Sequence, residues 1–338
     1  MGELLEQLLE QVLTIAYDAG DAIMAIYGNE YSVEIKEDHS PVTEADKAAH
    51  HVIVAGLQAL KEKLPVLSEE DTSHFAGAGD DKRYWLVDPL DGTKEFIKKN
   101  NEFTVNIALV ENDSPVLGVV TAPALGIAYV AAKGKGSYKI DRHGHREQLN
   151  VANAPHPPGV WRVVSSRSHK SPELCGWLKQ LGDHELNPVG SSLKFCLIAE
   201  GAADVYPRFG PTCLWDTAAA QVIIEEAGGV VQAMSGEPLH YGNPAEIINP
   251  SFVVWGSAQK CISVSCDQEP LRLPEGALTR GWPRTRRSCS PCSPSATWCW
   301  QEGARGMSTG PVCLEFGLAA GKPAAREIGR LWWPEILR

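Results

Sequence analysis

The stretch YWLVDPLDGTKEF, residues 84–96, constrains the fold more than any other part of this chain. Tyr84, Trp85, Leu86 and Val87 read as a buried strand, and they run straight into Asp88 and Asp91, with Pro89 between the acids and Gly92-Thr93 behind them. Proline cannot donate to a sheet ladder, so the strand is expected to span 84–88 and stop there. Two carboxylates this close repel one another, and burying even one without a partner is costly. The fold must therefore deliver the strand's end to a place where negative charge is wanted. Ligand sites of α/β proteins tend to lie at the carboxyl ends of strands.

Two other apolar segments end in the same way. PVLSEED carries Glu69 and Glu70 at the end of a strand-like run, and CLWDTAAAQVIIEEAGG places Asp216 after Leu214-Trp215. Taken singly, an Asp-Gly pair is usually a solvated turn and Asp216 a plain helix N-cap. Together they suit a divalent cation, which removes the cost of gathering carboxylates. All-oxygen ligands favour Mg2+, which keeps several waters and bridges to phosphate. Gly92 lets backbone N–H groups approach an anion at a turn leading into a helix, and Thr93 adds a hydroxyl able to hold a water for in-line attack if a carboxylate accepts its proton. The chain has no GxxxxGK[ST] loop, which disfavours a P-loop nucleotide site.

Apolar residues at three- and four-residue spacing predict an amphipathic helix over about 3–27, and Thr43-Glu44-Ala45-Asp46 resembles the capped start of a second helix reaching about residue 60. Further strands are expected at 103–110, 116–121, 128–132, 162–165, 230–233 and 252–255, with helices over 192–200 and 216–227 stopped by Gly201 and Gly228-Gly229. Strands and helices mix without a strict βαβ rhythm, so the α/β fold class is expected to be one of layered mixed sheets. The chain is read as an N-terminal α+β half over 1–150 with the metal and phosphate motifs, a C-terminal α/β half over 151–258 that completes the site, and a tail over 259–338. Six of the nine cysteines and five of the ten tryptophans fall beyond residue 260 without any sustained period, so the tail is read as lying outside the core. Its Cys289 and Cys292 have no second ligand pair at zinc spacing.

A net charge of −11 over 338 residues gives no basic footprint for nucleic acid, and no run approaches the ~18 apolar residues of a membrane span. The N-terminus carries acids where a secretory signal would carry Lys or Arg, and three scattered cysteines before residue 260 suit a reducing compartment. A cytoplasmic chain is expected. Peripheral attachment to the inner face of the cell membrane, and the choice between monomer and homodimer, stay open.

Together, LSEED, DPLDGTKEF and WDTAA resemble the inositol monophosphatase superfamily of Mg2+-dependent, lithium-sensitive phosphatases. Within it, TKEF, SSRSHK and GSSLKFCLIAEGAADVYPRFGP are similar to the CysQ-type 3'(2'),5'-bisphosphate nucleotidases, over residues 1–256. The resemblance implies the family's layered αβαβα sandwich. It implies two or three Mg2+ ions held by Glu69, Asp88, Asp91, Asp216 and the backbone carbonyl of Leu90. Thr93 with Asp46 would activate the attacking water and Glu70 would orient a metal-bound water. Substrate phosphate would lie on the backbone of Asp91, Gly92 and Thr93, bordered by Glu69, Leu90 and Asp216.

His169, Ser191, Lys194 and Arg208 are the residues the resemblance suggests for the rest of a nucleotide bisphosphate. Lys194 and Arg208 suit a second phosphate, because the metals serve only the one being cleaved. The implied reaction belongs to sulfur metabolism: hydrolysis of adenosine 3',5'-bisphosphate to AMP and phosphate, with 3'-phosphoadenylyl sulfate, giving adenylyl sulfate, as a further candidate. An inositol monophosphatase or a fructose-1,6-bisphosphatase would share the metal core, and a catalytically silent nucleotide or phosphate binder is the rival from another class. Ala220 departs from the family's usual glycine, and its methyl group is expected to cost a little stability behind Asp216.

Overall fold

The computed structural model describes residues 2–29, 32–35, 41–78, 82–153, 159–167, 171–243 and 245–257. Along the first half run α1 (Gly2–Tyr27), β1 (Val33–Ile35), β2 (Pro41–Thr43), α2 (Glu44–Ala59), β3 (Val66–Ser68), β4 (Arg83–Asp91), α3 (Thr93–Ile97), β5 (Thr104–Glu111), β6 (Ser114–Ala122), β7 (Ile127–Ala132), β8 (Ser137–Ile140) and β9 (Arg146–Gln148). The second half continues with β10 (Trp161–Ser166), α4 (Pro172–Leu181), β11 (His184–Val189), α5 (Leu193–Ala199), β12 (Val205–Arg208), a 3-10 turn (Leu214–Asp216), α6 (Ala218–Glu226), β13 (Val230–Ala233) and β14 (Phe252–Trp255). His169 and the tail over 259–338 lie outside the described residues.

Two mixed sheets divide the chain between Gln148 and Trp161. Seven strands pair in the order β3-β4-β5-β6-β7-β8-β9 and five in the order β11-β10-β12-β14-β13. On one face of the larger sheet lie α1 and α2, whose apolar stripes, Val12, Ala16, Ala19 and Ile23 on α1 with Ala49, Ile53 and Leu57 on α2, are buried against it. On its other face α6 packs across β5, β6 and β7, with α5 beside it and β10, β12 and β14 of the second sheet beyond. α4 closes the far side, where Trp177, Leu178 and Leu181 pack with Trp161, Val163 and Trp255. The layers are therefore α, β, α, β, α. The seam between α6 and the large sheet is close at Gly118, where a Cβ would stand 2.1 Å from the carbonyl oxygen of Ala219. Ala220 itself is buried within α6.

β4 differs from its expected span. It does not stop at Asp88 but runs to Asp91, pairing Asp88 with Asn106 and Asp91 with Thr104 across a shift of register. The irregularity takes up Pro89, whose missing N–H leaves no ladder bond to lose there. Asp216 also differs from the expected helix start. It ends the 3-10 turn, Thr217 holds the N-cap position of α6, and the Asp216 carboxylate turns back to accept the N–H of Cys213 at 3.1 Å. Among the described residues no helix is long and apolar enough to cross a membrane.

Candidate active site

β4 is the central support. Tyr84 to Val87 are almost wholly buried, each large side chain worth about 1.5–3 kcal/mol of burial, so the strand's tip is held by its own core. Asp88 comes next, 1% exposed, with Oδ1 accepting the N–H of Leu90 at 3.0 Å. Its Oδ2 is buried with no hydrogen-bond partner. β3 runs parallel to β4 and ends at Ser68, and the next N–H, that of Glu69, donates to the Val87 carbonyl at 3.1 Å. The 3-10 turn brings Asp216 in from the second half. Carboxylate oxygens of Glu69, Asp88 and Asp216 lie within 4.8 Å of one another.

The electrostatics follow from that crowding. Burial pushes the Asp88 carboxyl well above its usual 3.8, and the charges of Glu69, Asp91 and Asp216 push it further. Asp216 is likewise pushed up by burial, then by Asp91 and Glu69. Only a proton or a cation can bridge such a pair. The donors are all oxygen and one buried oxygen has no partner, so the set fits a hard divalent cation and not a thiophilic one.

Asp91 lies beside this trio. Its Oδ2 accepts the hydroxyl of Ser192 at 2.8 Å; the same hydroxyl is 2.9 Å from the Asp216 carbonyl oxygen and accepts from Asn106 Nδ2 at 2.9 Å. Gly92 follows with φ of 96°, in the left-handed region, where a side chain would meet the Glu102 carbonyl at 3.0 Å. That turn starts α3 at Thr93, whose hydroxyl donates to Asp46 Oδ1 at 3.1 Å and lies 3.4 Å from the Leu90 carbonyl.

Asp46 is placed by helix capping. Thr43 caps α2, and Asp46 Oδ2 accepts both the Thr43 N–H at 2.8 Å and the Thr43 hydroxyl at 2.6 Å. Burial raises the Asp46 pKa against the lowering effect of these bonds and that of Thr93. A carboxylate so poised can take a proton handed on by Thr93. Glu70 is half-buried in the turn after β3, next to Glu69 in sequence but not among the residues that line the cleft.

A cleft of about 200 Å³ is lined by residues of both halves, Asp91, Gly92, Thr93, Ser191, Lys194 and Arg208 among others, together with Glu69 and Asp216. Lys194 is not a surface helix residue. It is 7% exposed, donates to the Ser191 carbonyl and stands 5.4 Å from the centre of the Tyr206 ring. Burial lowers its pKa, with Arg208 adding to the lowering, while Asp91, Glu95 and Asp216 oppose it. Arg208 donates to the Thr212 hydroxyl at 2.6 Å and to the Pro211 carbonyl at 2.8 Å. Ser191 has a φ of 48°, unusual for a residue other than glycine, at the turn that leads into α5. Leu90 is buried behind the strand tip.

The structure thus brings Glu69, Asp88, Asp91, Asp216, Asp46, Thr93 and Gly92 to one place, with Ser191, Lys194 and Arg208 along the same cleft. Sequence reading missed Ser192 and Asn106. Neither belongs to a local pattern, since Ser192 meets an acid 101 residues earlier in the chain.

The family model described as the inositol monophosphatase family matches residues 4–268. A 3'(2'),5'-bisphosphate nucleotidase CysQ of Salmonella typhimurium is 53% identical over 249 residues, covering 73% of this chain and 99% of that protein. The protein of the same description from Escherichia coli K12 is 51% identical over the same shares of the two chains. Among solved structures, CysQ from Bacteroides thetaiotaomicron, described as a bacterial member of the inositol monophosphatase family, matches with a TM-score of 0.64 and 41% identity over 74% of this chain and 97% of that one.

Proposed function

The chain belongs to the inositol monophosphatase family, and from that premise we propose that it is a Mg2+-dependent 3'(2'),5'-bisphosphate nucleotidase that hydrolyses adenosine 3',5'-bisphosphate to AMP and phosphate. The observation that carries the reading is one cleft lined both by acids, Glu69 and Asp216 of the trio with Asp91, and by the basic pair Lys194 and Arg208. A substrate with two phosphates has a use for both groups. The curated relatives named as bisphosphate nucleotidases, 51–53% identical over nearly their whole length, support the same choice over an inositol ester. 3'-Phosphoadenylyl sulfate, which carries the same pair of anionic ends, is a second substrate on this reading.

Glu69, Asp88, Asp91, Asp216 and the Leu90 carbonyl would hold two or three Mg2+ ions. When bound, these supply charge neutralisation at the scissile phosphate and a water of lowered pKa. The chain's own residues do the rest. Thr93 holds the attacking water by its hydroxyl and passes a proton to Asp46 Oδ1, to which it already donates at 3.1 Å. Glu70 orients a second water. The backbone N–H groups at Gly92 and Thr93, opened by the left-handed turn at Gly92, receive the phosphate oxygens. Lys194 and Arg208 bind the phosphate that is not cleaved, Arg208 by its fork geometry and Lys194 as a buried point charge. His169 is assigned to the nucleotide as well.

Phosphate release should be measured from adenosine 3',5'-bisphosphate, inositol 1-phosphate and fructose 1,6-bisphosphate, with Mg2+ and with EDTA. Mg2+-dependent release is expected to be fastest from the nucleotide. Preference for the inositol ester would overturn the substrate assignment, and no Mg2+-dependent release from any of the three would overturn the enzymatic reading.

A further inference from the structure

We propose that Ser192 is a positioning residue for the metal centre: its one hydroxyl proton is given to Asp91, and this fixes which carboxylate oxygen Asp91 presents to a cation. The hydroxyl has three polar neighbours, Asn106 Nδ2 at 2.9 Å, Asp91 Oδ2 at 2.8 Å and the Asp216 carbonyl oxygen at 2.9 Å. A serine hydroxyl has one proton to donate and two lone pairs. Two acceptors therefore compete for one proton. A bond to an ionised carboxylate is about twice as strong as one to a neutral acceptor, so Asp91 takes it.

Asn106 completes the selection. Its amide nitrogen faces Ser192, which leaves the serine oxygen acting as acceptor on that side. The reversed amide would bring a third acceptor to a hydroxyl with a single proton. Asn106 stands directly across from Asp88 in the β4–β5 ladder, so its own position is tied to the buried ligand. Ser192 is 2% exposed and sits at the start of α5, so water cannot substitute freely for its bond.

The node joins both halves of the chain: Asp91 and Asn106 come from the larger sheet, Ser192 and Asp216 from the second half. With Oδ2 of Asp91 tied to the serine, Oδ1 is the oxygen left to a cation. A carboxylate with both oxygens loose would turn and lose the arrangement. Second-rank hydrogen bonds of this kind typically cost about 10- to 100-fold in metal affinity when removed.

The proposal rests on the metal reading given above, and the test separates the two failures. Mn2+ affinity is measured at 25 °C by electron paramagnetic resonance of the free ion, on the full chain and on Ser192→Ala, with near-UV circular dichroism as the check on folding. A loss of about 10-fold or more in Mn2+ affinity, with unchanged dichroism, is the expected result. Affinity within twofold of the unmodified chain, whatever the thermal midpoint does, would overturn the role of Ser192 and leave the metal reading standing. Absence of Mn2+ binding by the unmodified chain would overturn both. Should Ser192→Ala fail to fold, Ser192→Cys keeps the size and weakens the donor; a smaller loss of affinity supports the proposal and an unchanged affinity overturns it.

Discussion

The site has an acid end in which Asp88 and Asp216 are crowded with Glu69 and Asp88 Oδ2 is buried without a partner, while its basic end, the pair Lys194 and Arg208, is already tied to the Ser191 carbonyl, the Thr212 hydroxyl and the Pro211 carbonyl. The acid end lacks a hydrogen-bond partner for one buried oxygen, whereas both cations have theirs, although burial and Arg208 lower the Lys194 pKa. A site that binds by adding a missing charge must be built under strain, and the strain falls on whichever end receives the mobile component. Here that end is the carboxylate trio, in which the Asp88 and Asp216 pKa values are pushed up, whereas the cations keep neutral oxygen partners that a phosphate could replace.

Removing a charge from the acid end should have the largest effect, and it should have two signs. Asp88→Asn is expected to lower turnover by roughly 10³-fold or more. In EDTA the same change relieves repulsion worth about 1–2 kcal/mol, raising the thermal midpoint by about 2–8 °C in calorimetry. A variant that is both inactive and less stable in EDTA would break the contrast between the two ends.

At the basic end Lys194→Ala should act on binding alone. The KM for adenosine 3',5'-bisphosphate is expected to rise about 10- to 100-fold, as the loss of a charged hydrogen bond of about 1.5–3 kcal/mol requires. Hydrolysis of a nucleoside 3'-monophosphate should change less than about threefold, because that substrate never used the lysine. Equal losses on both substrates would mean that Lys194 serves the reacting phosphate instead. The smallest effect is expected from ending the chain after Ser257, which should leave steady-state activity within about twofold because every residue of the cleft precedes it.

The two ends were also unequally legible. The acids stand at the ends of apolar runs, and capping at Thr43-Asp46 is a local pattern, so both could be found from sequence. Strands 230–233 and 252–255 were found with their ends, being short apolar runs between turns. α4, β11 and β12 were not found. β11 is an edge strand carrying Pro188 and largely exposed, and β12 carries Pro207, so neither shows the alternation that marks a half-buried strand. The overrun of β4 past Pro89 came from pairing with β5, a long-range cause that local propensity does not record. Ser192 and Asn106 were illegible for the same reason, since their meaning lies in partners from other elements.

The acid end is tested most directly by thermal stability against pH, in EDTA and in saturating Mg2+. Folded Asp88 and Asp216 have pKa values above their usual 3.8, so without metal the folded state binds the extra protons, and this part of its stability is lost as pH rises from about 3.8 through the raised values. Asp71, lowered to about 2, and the lowered Asp141 and Glu173 work in the opposite sense but have largely finished titrating by about pH 5. His50, lowered from 6.5 by burial, also opposes the fall but acts alike with and without Mg2+, so it leaves the gap between the two curves unchanged. Cation binding requires the deprotonated acids, so stabilisation by Mg2+ grows over the same range. Above pH 5 the EDTA curve should fall relative to the Mg2+ curve, the gap widening with pH and nearly closing in Asp88→Asn. Parallel curves, or a gap that survives Asp88→Asn at full size, would contradict the account.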